Sequence, residues 1–194
     1  MQPTVAIVAG PNGAGKSTLA PLLLRDVLGL TTYVNADLVA LGLSGFAPES
    51  AGLAAGRIVL DRLHALARER RSFAFETTLA TRSFAPWLGE LAGSGYQAAL
   101  LFLWLPTVEQ ALARVAARVR LGGHDVPAET VRRRHTRGLQ NFFRLYAPLA
   151  TTWRFYDTTG PTPRAIAAGS GTRTDSVYDP GTWRSLEEQH GRTP

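Results

Sequence analysis

A chain of 194 residues, 45% hydrophobic and 19% charged, has the size and composition of one globular α/β domain, which sets disorder aside. No apolar run reaches the roughly 18 residues of a membrane helix, and the absence of cysteine excludes disulfides and thiolate metal sites. The formal charge of +6 favours anionic ligands without choosing among nucleotides, sugar nucleotides and nucleic acid.

The first segment, Thr4 to Ala9, reads as a buried strand. It begins without a basic stretch followed by an apolar targeting segment, so an intracellular, cytoplasmic protein is expected. Gly10 to Gly15 is a loop, and Lys16 opens a helix through Leu19, Leu22 and Leu23. Thr32 to Asn35 is a short second strand ending at Asp37. Glu49 to Arg71 carries Leu53, Ile58, Leu60, Leu63 and Leu66 and predicts a long amphipathic helix. Phe73 to Phe75 is a third strand ending at Glu76, and Ser83 to Ala92 reads as helix. Ala98 to Leu105 is a strongly apolar fourth strand. Helices are expected over Thr107 to Leu121 and Ala128 to Tyr146, around a loop from Gly122 to Pro127, before a fifth strand over Trp153 to Tyr156.

Strands alternating with helices predict an α/β fold with a mostly parallel five-stranded sheet and helices on both faces. Residues 1–168 form the expected domain, with a helical lid over about 112–146. From Gly169 the chain is rich in Gly, Ser, Thr, Arg and Pro, which predicts a loosely packed extension over 169–194, with Val177, Tyr178 and Trp183 as docking points. Sites in such sheets lie at the carboxyl ends of the strands. Gly10, Asp37, Glu76 and Asp157 all fall there and are expected to converge.

Gly10-Pro11-Asn12-Gly13-Ala14-Gly15-Lys16-Ser17 matches the phosphate-loop pattern G-x-x-x-x-G-K-[ST] in full, with a strand before it and a helix after it. Glycine lets backbone amides turn inward around phosphate oxygens, and the helix presents its positive end to them. The loop through Thr18 is therefore the expected site for ATP or GTP. Lys16 is expected to reach the β- and γ-phosphates and Ser17 to ligate magnesium. Twenty of the 21 basic residues are arginine; the lone lysine stands where the loop needs a compact ammonium.

An LSGGQ-like signature, an apolar run ending in Asp-Glu and an NKxD-like base-reading motif are all absent from the sequence. A small kinase remains, and it needs a carboxylate to orient the acceptor hydroxyl. Asp37 is the candidate base, with helix capping as its alternative role. Glu76 takes a Walker-B-like position, as a magnesium-orienting group or an acceptor ligand. Thr77, Thr78 and Arg82 follow as acceptor-binding candidates. Seven arginines, at 114, 118, 120, 132, 133, 134 and 137, flank the turn at Gly122-Gly123. They predict a lid that closes over the triphosphate and neutralises charge. Positions 132, 133 and 134 cannot share one helical face. Arg118 or Arg120, and Arg133 or Arg134, are the expected catalytic members. His124 and His135 lack the third and fourth ligands that zinc requires.

Taken together these motifs resemble the zeta-toxin family of P-loop kinases, in its short ATPase-like branch. The resemblance spans residues 4 to 158. It rests on Gly10 to Thr18, Asn35-Ala36-Asp37, Phe75-Glu76-Thr77-Thr78-Leu79, Gly122 to Pro127 with Arg132-Arg133-Arg134, and Tyr156-Asp157. It implies transfer of phosphate from ATP or GTP, with Mg2+, to a sugar hydroxyl of a UDP-activated aminosugar, typically UDP-N-acetylglucosamine. It also implies a small antitoxin that blocks the nucleotide site. Lys16 then grips phosphates, Asp37 is the general base, Glu76 with Thr78 meets the acceptor, and lid arginines such as Arg118, Arg120 and Arg134 stabilise transfer. Two departures lie on the acceptor side. Glu76-Thr77-Thr78 stands where the family has Glu-Gly-Thr, and the lid is shorter than in the best-known members. A polynucleotide 5′-hydroxyl kinase and a regulatory ATPase without an acceptor are the alternatives. No platform of interleaved aromatic and basic residues supports the former.

Overall fold

The computed structural model describes residues 2–27, 29–45 and 48–191. Five parallel strands carry the chain through its first 157 residues: β1 (Thr4–Ala9), β2 (Tyr33–Val34), β3 (Phe73–Thr77), β4 (Gln97–Trp104) and β5 (Thr152–Asp157). Two antiparallel strands, β6 (Arg164–Ser170) and β7 (Arg173–Val177), extend the sheet, giving the order β2-β3-β1-β4-β5-β6-β7. The five expected strands are thus joined by two more.

Period-two alternation gives each sheet face its own core. Val5 and Ile7 of β1, with Phe73 and Phe75 of β3, point to one face. There they meet Leu63 and Leu66 of α3 (Gly52–Arg68), Leu88 and Leu91 of α4 (Phe84–Gly93) and Leu139 of α6 (Ala128–Asn141). Ala6, Val8 and Ala74 point to the other face. There they meet Ala20 of α1 (Lys16–Pro21) and Ala111 and Val115 of α5 (Val108–Arg120). β1, buried on both faces, lies at the centre of the five parallel strands and delivers its loop between the two layers.

Helix boundaries follow local chemistry. α5 starts at Thr107, whose side chain accepts from Gln110 N. α2 (Ala36–Leu43) starts at Asn35, whose side chain accepts from Asp37 N and Leu38 N. The capping role that sequence assigns to Asp37 therefore belongs to Asn35, two residues earlier. The long helix expected from Glu49 starts instead at Gly52, after a 3₁₀ turn over Pro48–Ala51. α6 continues as a wider helical turn over Phe142–Tyr146, so the expected helix to Tyr146 is present with a change of pitch.

The region expected to be a loose extension instead holds the end of β6, all of β7 and α7 (Pro180–Leu186); Arg192 to Pro194 lie outside the described residues. Small residues in Arg164–Ser170 conceal a strand that buries Ile166 and Ala167. Trp183 does dock. It is buried against Trp153, Phe143 and Phe155, at ring-centroid distances of 5.4, 5.3 and 5.6 Å. Val177 and Tyr178 stay exposed. Replacing Trp183 with alanine is expected to cost about 3–5 kcal/mol, read as a lowered thermal midpoint. A midpoint unchanged from wild type would show that α7 adds nothing to the core.

Candidate active site

β1 ends directly in the loop Gly10 to Gly15. The backbone at Gly10, Gly13 and Gly15 has φ of 142°, 81° and 82°, conformations that L side chains rarely adopt. A side chain at Gly13 would also meet Ala111 O and Arg114 Cβ at 3.0 Å, so the loop nests against α5. Lys16 Nζ donates to Gly10 O at 3.0 Å and to Pro11 O at 2.9 Å, which folds the lysine over its own loop.

Glu76 lies beside the loop because β3 pairs with β1 in the register Val8↔Glu76. Ser17 Oγ donates to its carboxylate at 3.0 Å, and the Tyr33 hydroxyl donates to the same carboxylate. Burial, and then the bond to Glu76, push the Tyr33 phenol pKa up, so Tyr33 stays a donor. Asn35 Nδ2 donates to Tyr33 OH at 3.2 Å and to Ser17 Oγ at 3.4 Å. Ser17, Glu76, Tyr33 and Asn35 form one oxygen-rich cluster at the mouth of the loop.

Asp37 is exposed in the first turn of α2. Its charge acts on both Lys16 and Arg134. Arg134 comes from the opposite side, on α6, and its guanidinium donates to Asn12 Oδ1 at 3.4 Å. Burial, then the neighbouring Arg133, lower the pKa of Arg134, while Asp37 raises it. Arg118 donates to His124 O, which ties α5 to the lid turn, and its charge also reaches Lys16. Arg120 is placed differently. It lies two residues, about 200° around the helix, from Arg118. Its side chain is exposed and makes no hydrogen bond or ion pair among the described residues. Arg133 is exposed, and Arg132 pairs with Glu109 at 3.6 Å.

The loop after β3 is held by α6 and by the helical turn that continues it. Asn141 Nδ2 donates to Leu79 O at 2.7 Å, and the Tyr146 hydroxyl donates to Thr81 O at 2.6 Å. Gly138 approaches Thr78 O so closely that a Cβ would sit 2.3 Å from it. Thr77 Oγ1 accepts from Leu79 N, and Thr77 O accepts from Gly10 N. Thr78 is half-buried, while Arg82 is exposed at the start of α4.

One expected member does not join the site. Asp157 accepts from Thr159 N at 2.8 Å and pairs with Arg164 at 3.3 Å, so it closes the turn after β5. Arg114 represents that strand end instead. Its guanidinium donates to Thr158 O and Thr159 O at 2.7 Å each and to Gly13 O at 3.4 Å. Sequence reasoning names Arg114 only as one of seven lid arginines, and it passes over Tyr33. The signal that could find them is helical and strand periodicity. Arg114 and Arg118 are four apart on one face of α5, and Tyr33 and Asn35 are two apart at one strand end.

Strand, loop, helix and facing carboxylate define a P-loop nucleotide-binding protein of α/β architecture. The chain belongs to the AAA domain family, whose model matches residues 5–145. It is 29% identical over 135 residues to an uncharacterised protein of Haemophilus influenzae, covering 70% of this chain and 94% of that one. Its fold is similar to a chain of the AvrRxo1-ORF1:ORF2 complex crystallised with ATP, with a TM-score of 0.70 and 19% identity. That match covers 95% of this chain, which spans only 63% of the length of its counterpart. The fold is also similar to a chain of the PezAT toxin-antitoxin system of Streptococcus pneumoniae, with a TM-score of 0.67 and 13% identity, over 100% of this chain and 80% of that one.

Burial pushes the Lys16 ammonium down to about 8, with Arg118 and Arg134 adding to the fall and Glu76 and Asp37 opposing it. A bound phosphate would raise it again. Below about pH 8 the lysine is charged with or without nucleotide, so affinity is flat there. Above that value binding must recruit a proton, and affinity falls by up to tenfold per pH unit. Calorimetric titrations with ATP between pH 7 and 9.5, in buffers of different ionisation enthalpy, should show that decline with proton uptake. An affinity independent of pH across that range would place the lysine's titration elsewhere.

Proposed function

We propose that the protein is a kinase that transfers the γ-phosphate of ATP or GTP to a hydroxyl of a small molecule. The favoured acceptor class is a UDP-activated aminosugar such as UDP-N-acetylglucosamine. The observation that carries this reading is the placement of Asp37, an exposed carboxylate whose charge acts on both Lys16 and Arg134, in the first turn of α2, whose cap Asn35 bonds to Ser17 and Tyr33 at the loop mouth. A phosphate-loop protein that only binds nucleotide has no need of a carboxylate there.

The chemistry follows from the residues. Asp37 accepts the proton of the attacking hydroxyl as its oxygen bonds to the γ-phosphorus and the bond to the β-γ bridging oxygen breaks. Lys16 and Arg134 hold the charge that develops on the transferring group, and Arg118 supports Lys16 from the lid side. Ser17 and Glu76 supply hard oxygen ligands only 3.0 Å apart, which suits magnesium bound through one carboxylate and the nucleotide's phosphates. When bound, magnesium neutralises charge on the β- and γ-phosphate oxygens. Glu76, Thr77, Thr78 and Arg82 line the side from which the acceptor enters.

The two solved complexes also motivate a protein partner for this chain, an antitoxin-like subunit that covers the nucleotide site. The test of the kinase reading is transfer of labelled γ-phosphate to a panel of sugar nucleotides, nucleosides, small sugars and oligonucleotides. A phosphorylated sugar nucleotide is the expected product. Label only on oligonucleotide 5′ ends would favour the nucleic-acid reading. Label only in inorganic phosphate would favour an ATPase.

A further inference from the structure

Asn35 is 4% exposed and sits at the junction of β2 and α2. Its side chain bonds on every side. Oδ1 accepts from Asp37 N at 2.8 Å and Leu38 N at 3.1 Å, while Nδ2 donates to Tyr33 OH and Ser17 Oγ. Backbone N–H groups can only donate, so the oxygen must face the helix and the amide nitrogen must face the two hydroxyls. A helix cap needs only the oxygen. The nitrogen is therefore surplus to capping.

That surplus sets the polarity of the whole cluster. Ser17 and Tyr33 each receive from Asn35 and each give their proton to Glu76. Ser17 then keeps one lone pair free. An aspartate at position 35 would cap equally well, but it would attract both hydroxyl protons away from Glu76 and set two carboxylates side by side. A serine would cap, but with a shorter side chain that lacks the amide nitrogen serving Tyr33 and Ser17.

We propose that Asn35 is a positioning residue with two coupled tasks. It orients the Ser17 hydroxyl as a magnesium ligand, and it fixes that ligand to the first turn of α2, where Asp37 stands. The second task rests on the kinase reading above, whereas the first needs only nucleotide binding.

Asn35→Ser keeps the cap and removes the amide, while Asn35→Ala removes both. Three quantities distinguish them: the thermal midpoint, ATP affinity with Mg2+ and with EDTA, and the Mg2+ dependence of γ-phosphate release to acceptor or water. Asn35→Ser is expected to melt near wild type and to bind ATP normally in EDTA. It should need about tenfold more Mg2+ for half-maximal tightening of ATP binding. Its kcat should fall while KM for ATP at saturating Mg2+ holds. Asn35→Ala should show the same magnesium defect with a lower midpoint. Wild-type magnesium dependence in Asn35→Ser would reduce Asn35 to a helix cap and overturn the proposal. If the serine variant folds poorly, Asn35→Thr, which also caps and also lacks the amide, takes its place with the same two outcomes. The binding measurement stands apart from catalysis. A magnesium defect without any acceptor phosphorylated by wild type would sink the kinase reading and leave the Ser17 task in place.

Discussion

Replacing Asp37 with alanine is expected to lower the proposed γ-phosphate transfer by about 10³-fold, the middle of the range for a lost general base, while ATP binds at least as tightly as before. The sign of the binding change follows from the charges. Asp37 opposes the field that Lys16 and Arg134 present to an anionic nucleotide. Removing it leaves that field stronger. The start of α2 should hold, because Asn35 caps the helix and Asp37 contributes only its charge to the first turn. Asp37→Asn, which keeps the volume, should show the same loss. Single-turnover transfer and equilibrium ATP titration measure the two halves separately. Undiminished transfer in either variant would remove Asp37 from the base role.

Gly10→Ala should damage the fold before it touches catalysis. The backbone there has φ of 142°, and a Cβ would stand 2.1 Å from Leu103 O, in the strand beside β1. On the opposite side Gly10 N donates to Thr77 O of β3. Both neighbours are sheet backbone, so neither can yield. A loss of about 3 kcal/mol or more is expected, a drop of roughly 6–12 °C in thermal midpoint for a chain of this size. At Gly13, by contrast, a Cβ would meet Ala111 O and Arg114 Cβ at 3.0 Å, on a helix that can shift by tenths of an ångström. Gly13→Ala should melt closer to wild type and lose nucleotide affinity instead. Thermal scans of the pair separate the two effects. Equal midpoints would show that the first glycine serves phosphate alone.

The parallel part of the sheet is legible in the sequence because it is written in long apolar strands, Thr4–Ala9 and Gln97–Trp104 above all, separated by amphipathic helices. The hairpin beyond it is not. Arg164–Ser170 and Arg173–Val177 are built from small and polar residues; the largely exposed second strand rests on its pairing to the first, and the first rests on its pairing to β5 and on Trp153 packed against Gly169. That contact is remote in sequence and leaves no local pattern. The loop, Asp37 and Glu76 are legible from position at strand ends. Tyr33 escapes notice because a two-residue strand shows no alternation of its own. Asp157 misleads because a carboxylate at a strand end serves a turn as readily as a substrate. Among the arginines, helical geometry separates Arg118 from Arg120, but only the packed helices show that Arg114 reaches Gly13.

α6 reaches the phosphate loop through Arg134 and Asn12, and with the turn that continues it to Tyr146 it holds the loop after β3 at Thr78, Leu79 and Thr81. One continuous helical element thus spans the gap across which, on the kinase reading, phosphate would travel. If α6 tilts, both banks of that gap move together, and the distance between them changes little. On the kinase reading, discrimination between acceptors would then fall to the side chains of Thr77, Thr78 and Arg82 rather than to how far the molecule closes. A relative could exchange one substrate for another by changing those few positions, with the helix and the phosphate loop left as they are.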